Sequence, residues 1–408
     1  MKPELLFLAH RIPYPPDRGD KIRSWHVLRH LARHARVHLA CFADDAADAA
    51  HLSALRAALG DNLGEACVSI ISPNKLLWMA KAYGQRLTIN EAAMSSGQIR
   101  DFVTRILAER PIAGVYAFSV QMARYVPAGL KQPFVMDFVD FDSAKYADYA
   151  RKSGPAGRIV YAREARKMFS LEKETAARAD VSLFVSEAEA ALFRAEAKLP
   201  SADVRALSNG IDLAFYDPAA DLPAIDAPKP PFITFTGQMD YRPNVEAVCT
   251  FARDVMPTIR KLYDARFAIV GRRPDPAVRA LDGKDGVIVI GEVPDVRPWL
   301  AAASVVVAPL KIARGVQNKV LEAMAMGRPV VASAGAFEGI DAVPGRDLLV
   351  ADSAGEQLDA VLGLFEEPER AAAMGRAARA RMISHYAWDA QLAPLAGMLG
   401  LDARKAAA

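Results

Sequence analysis

Short runs of β-branched, aromatic and other apolar residues recur along the first half of the chain, and segments with helical spacing separate them. The runs cover residues 4–10, 36–43, 66–72, 113–119, 133–140 and 180–186. After the first run, Ile22, Trp25 and Leu28 follow the three-residue spacing of a helix with one buried face. Apolar strands that alternate with helices are typical of a parallel sheet covered on both faces. The pattern therefore predicts an α/β domain.

The second half of the chain repeats this alternation. Strands are predicted at residues 232–237, 266–271, 286–291, 304–310 and 328–333. Helices are predicted from Pro243 and Pro298 onward and over residues 316–326. The expected architecture is therefore α/β throughout, with two Rossmann-like, doubly wound domains that face each other across a cleft.

Proline marks the boundary between the two halves, because neither a helix nor a central strand continues easily through it. The predicted N-terminal domain spans residues 1–215, and residues 216–231 form a linker. The C-terminal domain spans residues 232–385. Residues 386–408 are predicted to form a helix that packs back on the N-terminal domain and ends in a frayed tail.

Composition excludes several classes of protein. The 408 residues are 52% hydrophobic and 24% charged, which is not the composition of a disordered chain. A net charge of +3 does not indicate a dedicated nucleic-acid binder. The three cysteines are too far apart for a zinc site, and their odd number argues against a disulfide framework. The sequence has no apolar run of about 18 residues, so we expect a cytoplasmic protein with no membrane span.

Residues 315–333 carry the clearest chemical pattern, a loop, a helix, a glycine stop and a strand. Gly315 allows a ligand to approach the backbone closely. The amides of Val316 and Gln317, with the positive end of the helix dipole, suit a phosphate group.

Lys319 and Glu322 are three residues apart and therefore share one face of this helix. The lysine suits a diphosphate, and the carboxylate suits the hydroxyl groups of a ribose or a sugar. A surface Lys–Glu pair on an amphipathic helix explains the same spacing, so the pattern alone leaves both interpretations open.

Four segments resemble the retaining family-four glycosyltransferases of the glycosyltransferase-B fold, and they occur in that family's order: residues 208–212, 235–244, 291–295 and 315–333. The family joins a nucleotide-sugar donor to an acceptor between two Rossmann-like domains. Two further segments, residues 10–23 and 137–143, resemble the branch associated with the exosortase and PEP-CTERM exopolysaccharide system.

The resemblance implies roles for particular residues. Glu322 would bind the ribose. The donor diphosphate would lie against Gly19, Arg242, Gly315, Val316, Gln317 and Lys319. The nucleobase would contact Arg272 and Val293, and the sugar or the acceptor would contact Asp20, Arg23, Arg314 and Asn318.

Two positions depart from the family pattern. Members usually carry a first glutamate with seven residues between it and the second, and this spacing leads from Glu322 back to Arg314. Gln238 stands where many relatives have arginine after the glycine that ends the strand. We therefore expect Arg242 and Lys319 to be the cations that balance the charge of the leaving nucleotide.

Asp140 and Asp137 are the candidate catalytic residues, with Asp140 favoured because it ends the fifth predicted strand, where many relatives place a histidine. A carboxylate there would stabilise the positive charge that develops on the sugar, while the donor phosphate accepts the proton of the acceptor. An Asp140 that is only a helix N-cap or a turn residue is the alternative. Asp140 and Asp142 also mimic a metal-binding pair, but members of this fold hold the diphosphate with a helix and cations, so we predict no metal or other cofactor.

For Asp20, a helix N-cap is the alternative to acceptor binding.

Two basic stretches and one apolar stretch favour an anionic partner or a membrane surface. Residues 11–38 contain seven Lys or Arg and two acidic residues. Residues 151–178 contain eight Lys or Arg and three acidic residues. Residues 76–83 add apolar and aromatic side chains suited to an interface. Solvated helix faces and a core-packed helix explain each stretch taken singly. Together they favour peripheral contact with the cytoplasmic face of the inner membrane.

The leading hypothesis is a retaining hexosyltransferase that uses a nucleoside-diphosphate sugar and a glycan or lipid-linked acceptor in exopolysaccharide biosynthesis. A nucleotide-sugar epimerase or hydrolase of the same fold is one alternative. A nucleotide-sugar-binding protein without catalytic activity is the other, since Arg314 replaces the expected glutamate.

Overall fold

The computed structural model describes residues 2–229, 231–311 and 316–401. The chain divides into two compact units. Unit 1 contains residues up to Ser208 together with those from Leu392 onward, and unit 2 is Asn209–Gln391. The division thus falls before the predicted boundary at residue 215, and the predicted linker, residues 216–231, lies in unit 2.

Unit 1 is built on a seven-stranded sheet in the order β3-β2-β1-β4-β5-β6-β7. Its strands are β1 (Glu4–Ala9), β2 (Arg36–Ala43), β3 (Leu63–Ile70), β4 (Ile112–Phe118), β5 (Phe134–Val139), β6 (Val181–Phe184) and β7 (Val204–Ala206). All of their described pairings are parallel. Most side chains of β1, β2 and β4 are buried, as apolar runs flanked by helices require.

Helices connect these strands. They are α1 (Gly19–His34), α2 (Ala46–Ala50), α3 (Leu52–Leu59), α4 (Lys75–Gly84), α5 (Ile89–Ala93), α6 (Gly97–Glu109), α7 (Asp142–Lys152), α8 (Pro155–Ala176) and α9 (Glu187–Ala197). Short 3₁₀ helices lie at Gly60–Asn62 and Val120–Tyr125.

Unit 2 is built on a six-stranded sheet in the order β10-β9-β8-β11-β12-β13. Its strands are β8 (Phe232–Thr236), β9 (Arg266–Val270), β10 (Val287–Gly291), β11 (Val305–Ala308), β12 (Val330–Ala332) and β13 (Leu349–Val350). Their described pairings are also parallel.

The helices of unit 2 are α10 (Arg242–Asp254), α11 (Met256–Leu262), α12 (Pro276–Arg279), α13 (Arg297–Ala302), α14 (Asn318–Ala325), α15 (Ala334–Phe337), α16 (Ala354–Glu366) and α17 (Pro368–His385). Two short helices follow, α18 (Trp388–Leu392) and α19 (Pro394–Met398). Helix α19 belongs to unit 1, where it packs against α1.

The prediction of two doubly wound parallel-sheet domains is confirmed. In each sheet the strand order reverses between the first strand and the fourth, at β1 and β4 in unit 1 and at β8 and β11 in unit 2. Ligands of such sheets bind beyond the carboxyl ends of the strands at this reversal. Among the described residues, no helix is both long enough and apolar enough to span a membrane.

Candidate functional site

The reversal point of unit 2 brings together two helices that follow β8 and β11. Helix α10 begins shortly after β8, and α14 lies between β11 and β12. Gln317 has an extended backbone, with φ −84° and ψ 100°, so the helix predicted from residue 316 begins at Asn318. The N-terminus of α14 lies at the edge of the sheet where a phosphate is expected.

Lys319, in the first turn of α14, is held by two groups from the β8 side. Its Nζ lies 2.5 Å from Oδ1 of Asn244, which is in the first turn of α10. The same nitrogen lies 4.2 Å from the centroid of the ring of Phe235, a buried residue of β8. Burial lowers the pKa of Lys319 to about 7, and the charge of Glu322 opposes this effect. The site therefore holds a cation that lacks a full counter-charge.

Glu322 lies one turn further along α14 and is half-buried. The hydroxyl of Tyr216 donates a hydrogen bond to its carboxylate. Burial raises the pKa of Glu322, while the Tyr216 hydrogen bond and the Lys319 charge oppose the increase. Burial, followed by the Glu322 charge, also raises the pKa of Tyr216, so its hydroxyl remains a donor. This arrangement suits a carboxylate that accepts hydrogen bonds from a diol.

Glycine is required where β8 and β9 end. A Cβ on Gly271 would lie 1.6 Å from the carbonyl oxygen of Gly237. A Cβ on Gly237 would lie 3.0 Å from Nζ of Lys319 and 2.9 Å from Nδ2 of Asn244. A side chain at either position would displace the backbone or the groups that hold Lys319.

The other predicted donor residues surround this group less closely. Arg242 begins α10, but its side chain is 84% exposed and pairs with Glu246 at 2.7 Å. Arg272 follows β9 and donates to Oε1 of Gln238 at 3.2 Å. Val293 follows β10 and is half-buried.

The remaining predicted residues of unit 2 precede or begin α14. Val316, Gln317 and Asn318 are half-buried beside Lys319 in the chain. Arg314 and Gly315 lie outside the described residues.

In unit 1, Asp20 lies in the first turn of α1 within a cluster of basic side chains. Its Oδ2 is 2.9 Å from Nη1 of Arg11 and 3.3 Å from Nε2 of His10, and its Oδ1 is 3.4 Å from Nε of Arg18. Burial favours a higher pKa, but the His10 hydrogen bond and the two arginine charges hold the pKa of Asp20 well below its usual range. Arg18 occupies the N-cap position of α1. Oδ1 of Asp20 nevertheless accepts a hydrogen bond from the backbone amide of Lys21 at 3.0 Å, so Asp20 contacts an amide of its own helix, as the capping alternative expects.

Gly19 begins α1 and is exposed. No described atom lies within 4 Å of the position of a Cβ there. The space that the predicted phosphate approach requires is therefore open.

The assignment of Asp137 and Arg23 to catalysis and acceptor binding is wrong. Both are buried, at 0% and 1% exposure, and Nε of Arg23 lies 2.9 Å from Oδ2 of Asp137. Asp137 also accepts from the Tyr116 hydroxyl and from the Val139 amide. A completely buried ion pair whose oxygens are already occupied ties α1 to β4 and β5, and neither side chain is open to a substrate.

Asp140 leaves the sheet at the end of β5. Val139 has φ 70°, an unusual conformation for a β-branched residue, and the β5–β6 register shifts between Asp137 and Val139. Nζ of Lys145 lies 2.5 Å from Asp140 and 3.4 Å from Asp142, so a protein cation lies between the two carboxylates. Within the described ranges, no group of three or more His, Cys, Asp or Glu is arranged to hold a metal ion.

The alternative that Asp140 caps the following helix is also wrong. Phe141 occupies the N-cap position of α7. The amides of Phe141 and Ser143 donate instead to carboxyl groups from other helices, Phe141 to the half-buried Glu189 at 2.6 Å and Ser143 to the buried Glu172 at 3.1 Å. Asp140 keeps a side chain that is 34% exposed, as a residue that contacts substrate requires.

The two predicted basic stretches differ in exposure. In residues 11–38, Lys21, Arg23, His26 and His30 are buried, so this part of the stretch belongs to the core. Arg29, Arg33 and Arg36 are exposed. In residues 151–178, the side chains of Arg151, Lys152, Arg158 and Arg166 are exposed.

Helix α4 exposes its apolar side chains. Leu76 is 79% exposed and Leu77 is 55% exposed. On α8, Ile159 is 72% exposed, and Arg163 stacks on Tyr83 of α4 with its guanidinium carbon 4.2 Å from the ring centroid. The apolar side chains of the two helices thus lie on neighbouring elements of unit 1.

Sequence reasoning missed three residues of the Lys319 group. Asn244 and Phe235 lie within the quoted segment 235–244, but no role was derived for them. Tyr216 follows the segment 208–212 within a few residues, and its aromatic ring next to a proline-rich stretch was the available signal.

Residues 230–367 match the family model described as "Glycosyl transferases group 1". The matched region is roughly a third of the chain and contains Asn244, Lys319 and Glu322. No curated protein sequence matches the chain.

Solved structures resemble the chain over nearly its whole length. Sucrose-phosphate synthase from Thermosynechococcus elongatus is 17% identical with a TM-score of 0.68, over 98% of each chain. HepE from Anabaena, crystallised with UDP, is 15% identical with a TM-score of 0.63, over 98% of this chain and 100% of HepE. WaaG, a glycosyltransferase involved in lipopolysaccharide biosynthesis, is 16% identical with a TM-score of 0.64, over 97% of this chain and 100% of WaaG. These likenesses show the glycosyltransferase-B fold, and the family match supports a glycosyltransferase.

Proposed function

We propose that the chain is a retaining hexosyltransferase that moves a hexose from a nucleoside-diphosphate sugar to a glycan or lipid-linked acceptor in exopolysaccharide biosynthesis. The observation that carries the proposal is the grouping of Lys319, Asn244, Glu322 and Tyr216 at the carboxyl ends of β8 and β11. The group offers one cation, one diol acceptor and a helix N-terminus within a single turn of α14.

The parts of this group have different roles in donor binding. Lys319 and the α14 amides neutralise the diphosphate, and Lys319 stabilises the charge that grows on the nucleotide as the sugar leaves. Glu322 accepts hydrogen bonds from the ribose hydroxyls. The cation and the helix N-terminus replace the usual role of a divalent ion, so we propose that transfer requires no metal.

Unit 1 supplies residues for the acceptor and for the chemistry. Asp140 stabilises positive charge on the sugar ring, and Asp20 accepts a hydrogen bond from the acceptor. The donor phosphate takes the acceptor proton, as in a transfer that retains configuration. The exopolysaccharide role rests on the resemblance of residues 10–23 and 137–143, and the fold of WaaG is consistent with it.

Thermal-shift titration tests donor binding directly, because a ligand that binds only the native state raises the unfolding midpoint. UDP, GDP, ADP, TDP and CMP are compared with and without Mg²⁺, and the UDP complex of HepE makes UDP the first choice. The variants are Glu322→Ala and, as a matched control, Lys261→Met, an exposed lysine on α11. We expect a diphosphate-selective shift that is independent of Mg²⁺, absent in Glu322→Ala and kept in Lys261→Met. A shift of the same size in Glu322→Ala would overturn the ribose assignment.

Product analysis separates the alternatives. Conversion of the donor without an acceptor would indicate an epimerase or a hydrolase. Nucleotide binding with no turnover on any acceptor would indicate a binding protein. The anomeric configuration of the product, read by NMR, tests retention.

We also propose that α4 and the neighbouring part of α8 contact an anionic membrane surface. Leu76, Leu77 and Ile159 supply apolar side chains, and Arg151 and Arg158 supply charge near anionic headgroups. In co-sedimentation with vesicles of phosphatidylglycerol and phosphatidylcholine, Leu76→Ser together with Leu77→Ser should reduce the bound fraction several-fold. Exposed Leu262→Ser in unit 2 serves as the control. Equal sedimentation of the two variants would contradict the proposal.

A further inference from the structure

A cavity lies in unit 2 at the amino-terminal edge of its sheet. Its volume is about 640 Å³, and its lining includes Pro231, Ser304 and Pro329, which directly precede β8, β11 and β12. Strand β8, which has five residues, separates this edge from the carboxyl edge by about 16 Å. The cavity is therefore distinct from the Lys319 group, and its volume falls in the range of small-molecule sites.

Two arginines face this cavity, which we call the arginine pocket, and no acidic residue is among the described residues that line it. The guanidinium of Arg328 makes two long contacts, to the carbonyl oxygens of Ala303 at 3.3 Å and Met326 at 3.5 Å. Five N–H donors are available, so most of them are left for a ligand. Arg376 is exposed on α17 and has no ion pair or hydrogen bond with any residue in the described part of the chain.

Burial without a counter-charge is the unusual feature of Arg328. Desolvation lowers the pKa of its guanidinium, and no carboxylate offsets the effect. The acidic residues of the segment that joins α16 to α17, Glu366, Glu367 and Glu369, are exposed and are not among the residues that line the pocket. A partly buried cation is stabilised when an anion with matching geometry binds it.

The remaining walls are apolar and aromatic. Tyr263 and Phe365 meet edge to face with ring centroids 5.5 Å apart, and Leu364 lies beside Phe365 in the chain. Planar apolar groups pack well against such a pair. The lining thus combines two arginines with apolar and aromatic side chains. We infer that the arginine pocket binds a small organic anion, namely a carboxylate, phosphate or sulfonate group carried on an aromatic or apolar body.

Fluorescence titration of the full chain with 1-anilinonaphthalene-8-sulfonate tests this site, since the dye has an anionic group on an aromatic body and becomes fluorescent in apolar surroundings. We expect saturable binding of one dye, weakened about tenfold by Arg328→Met and about fivefold by Arg376→Met. Arg370→Met is the matched control, because Arg370 is exposed on the same helix and pairs with Glu367 instead. Its titration should equal that of the unmodified chain.

Further ligands separate the anionic and the apolar parts of the inference. N-phenyl-1-naphthylamine, which lacks the sulfonate, should bind more weakly and should not respond to the arginine substitutions. Phenyl phosphate should displace the dye, whereas inorganic phosphate at the same concentration should not. Unchanged dye affinity in both Arg376→Met and Arg328→Met would overturn the site, and equal displacement by inorganic phosphate would overturn the requirement for an apolar body.

The arginine pocket does not depend on the proposed transferase function. UDP should leave the dye bound, because the Lys319 group lies at the opposite edge of the sheet. Displacement of the dye by UDP, with the same response to Glu322→Ala as the thermal shift, would place the dye in the donor site and overturn the inference. Dye binding that responds to the arginines alone would stand even if no nucleotide bound.

Discussion

The ammonium nitrogen of Lys319 lies 2.5 Å from the amide oxygen of Asn244, and this contact joins the helix after β11 to the helix after β8. An amide oxygen and the Phe235 ring satisfy the ammonium group geometrically, but neither carries a full negative charge. In the described part of the chain, no carboxylate oxygen forms an ion pair with Lys319. The site is therefore electrostatically incomplete until an anion binds.

Donor binding should depend on pH through Lys319. Its pKa of about 7 means that the ammonium form is present below pH 7 and is lost as the pH rises. Diphosphate binding requires the charged form, so above pH 7 each binding event must take up a proton. We expect the affinity for the nucleoside diphosphate to fall by up to about tenfold per pH unit above pH 7. Calorimetry in two buffers with different ionisation enthalpies measures both the affinity and the proton uptake.

Lys319→Arg provides the control for this dependence, because arginine remains charged to pH values above 12. Its affinity should stay nearly constant between pH 7 and pH 9. The terminal phosphate of the ligand, with a second pKa near 6, is already deprotonated in that range. A wild-type affinity that does not change between pH 7 and pH 9 would show that Lys319 is charged throughout or does not contact the diphosphate.

Tyr216→Phe should weaken donor binding although Tyr216 is not expected to touch the diphosphate. Its hydroxyl orients the Glu322 carboxylate, and a hydrogen bond to a charged group contributes roughly 1.5–3 kcal/mol. We expect about a tenfold loss of affinity for a nucleoside diphosphate, measured by calorimetry. For a 2′-deoxy nucleotide, Tyr216→Phe should reduce the affinity much less, because the contact between Glu322 and the ribose diol is already impaired in that ligand. Equal losses for the two nucleotides would contradict the positioning role.

Asp140→Asn should lower turnover and leave donor binding intact. The amide has nearly the same shape as the carboxylate but carries no charge to stabilise the developing positive charge on the sugar. We expect kcat to fall by about 10²-fold with little change in the thermal shift by UDP. Asp142→Asn is the matched control because Asp142 shares the Lys145 ammonium. An Asp140→Asn variant with wild-type turnover would remove this residue from the mechanism.

The architecture was predictable from the sequence because parallel strands buried on both faces form apolar runs. Each of the eleven predicted strands exists, and the limits of residues 36–43 agree with β2. Strands β7 and β13 were missed, since they are short edge strands of three and two residues with half-buried or exposed side chains. Their sequences carry no apolar run to detect.

The site was predictable only in part. Lys319 and Glu322 share a face of α14 because helical spacing is a local property, and local properties can be read from a sequence. Asn244 and Tyr216 reach them from positions 75 and 106 residues earlier in the chain, and no local pattern encodes such contacts. Asp137 was misassigned for the same reason, because its partner Arg23 is 114 residues away.

The buried carboxyl group of Glu172 should make the stability of the protein fall as the pH rises. Burial raises its pKa to about 8, from 4.5 for the free group, and the hydrogen bond from Ser143 opposes the increase. Between these two pH values the folded state keeps a proton that the unfolded state releases. The free energy of unfolding therefore decreases from about pH 4.5 upward, and the full loss is present above pH 8.

Glu172→Gln cannot ionise and should escape this loss. In urea denaturation, we expect the free energy of unfolding of the variant to be close to that of wild type at pH 5. At pH 9 the variant should be more stable than wild type by as much as about 4 kcal/mol. Glu174→Gln, an exposed glutamate on the same helix, should follow the wild-type curve at both pH values. If Glu172→Gln and wild type lose stability in parallel as the pH rises, Glu172 is already ionised in the folded protein at neutral pH. The second oxygen of Glu172 is buried without a hydrogen-bond partner among the described residues. An ionised Glu172 would then need a hydrogen-bond donor to this oxygen that the described residues do not supply.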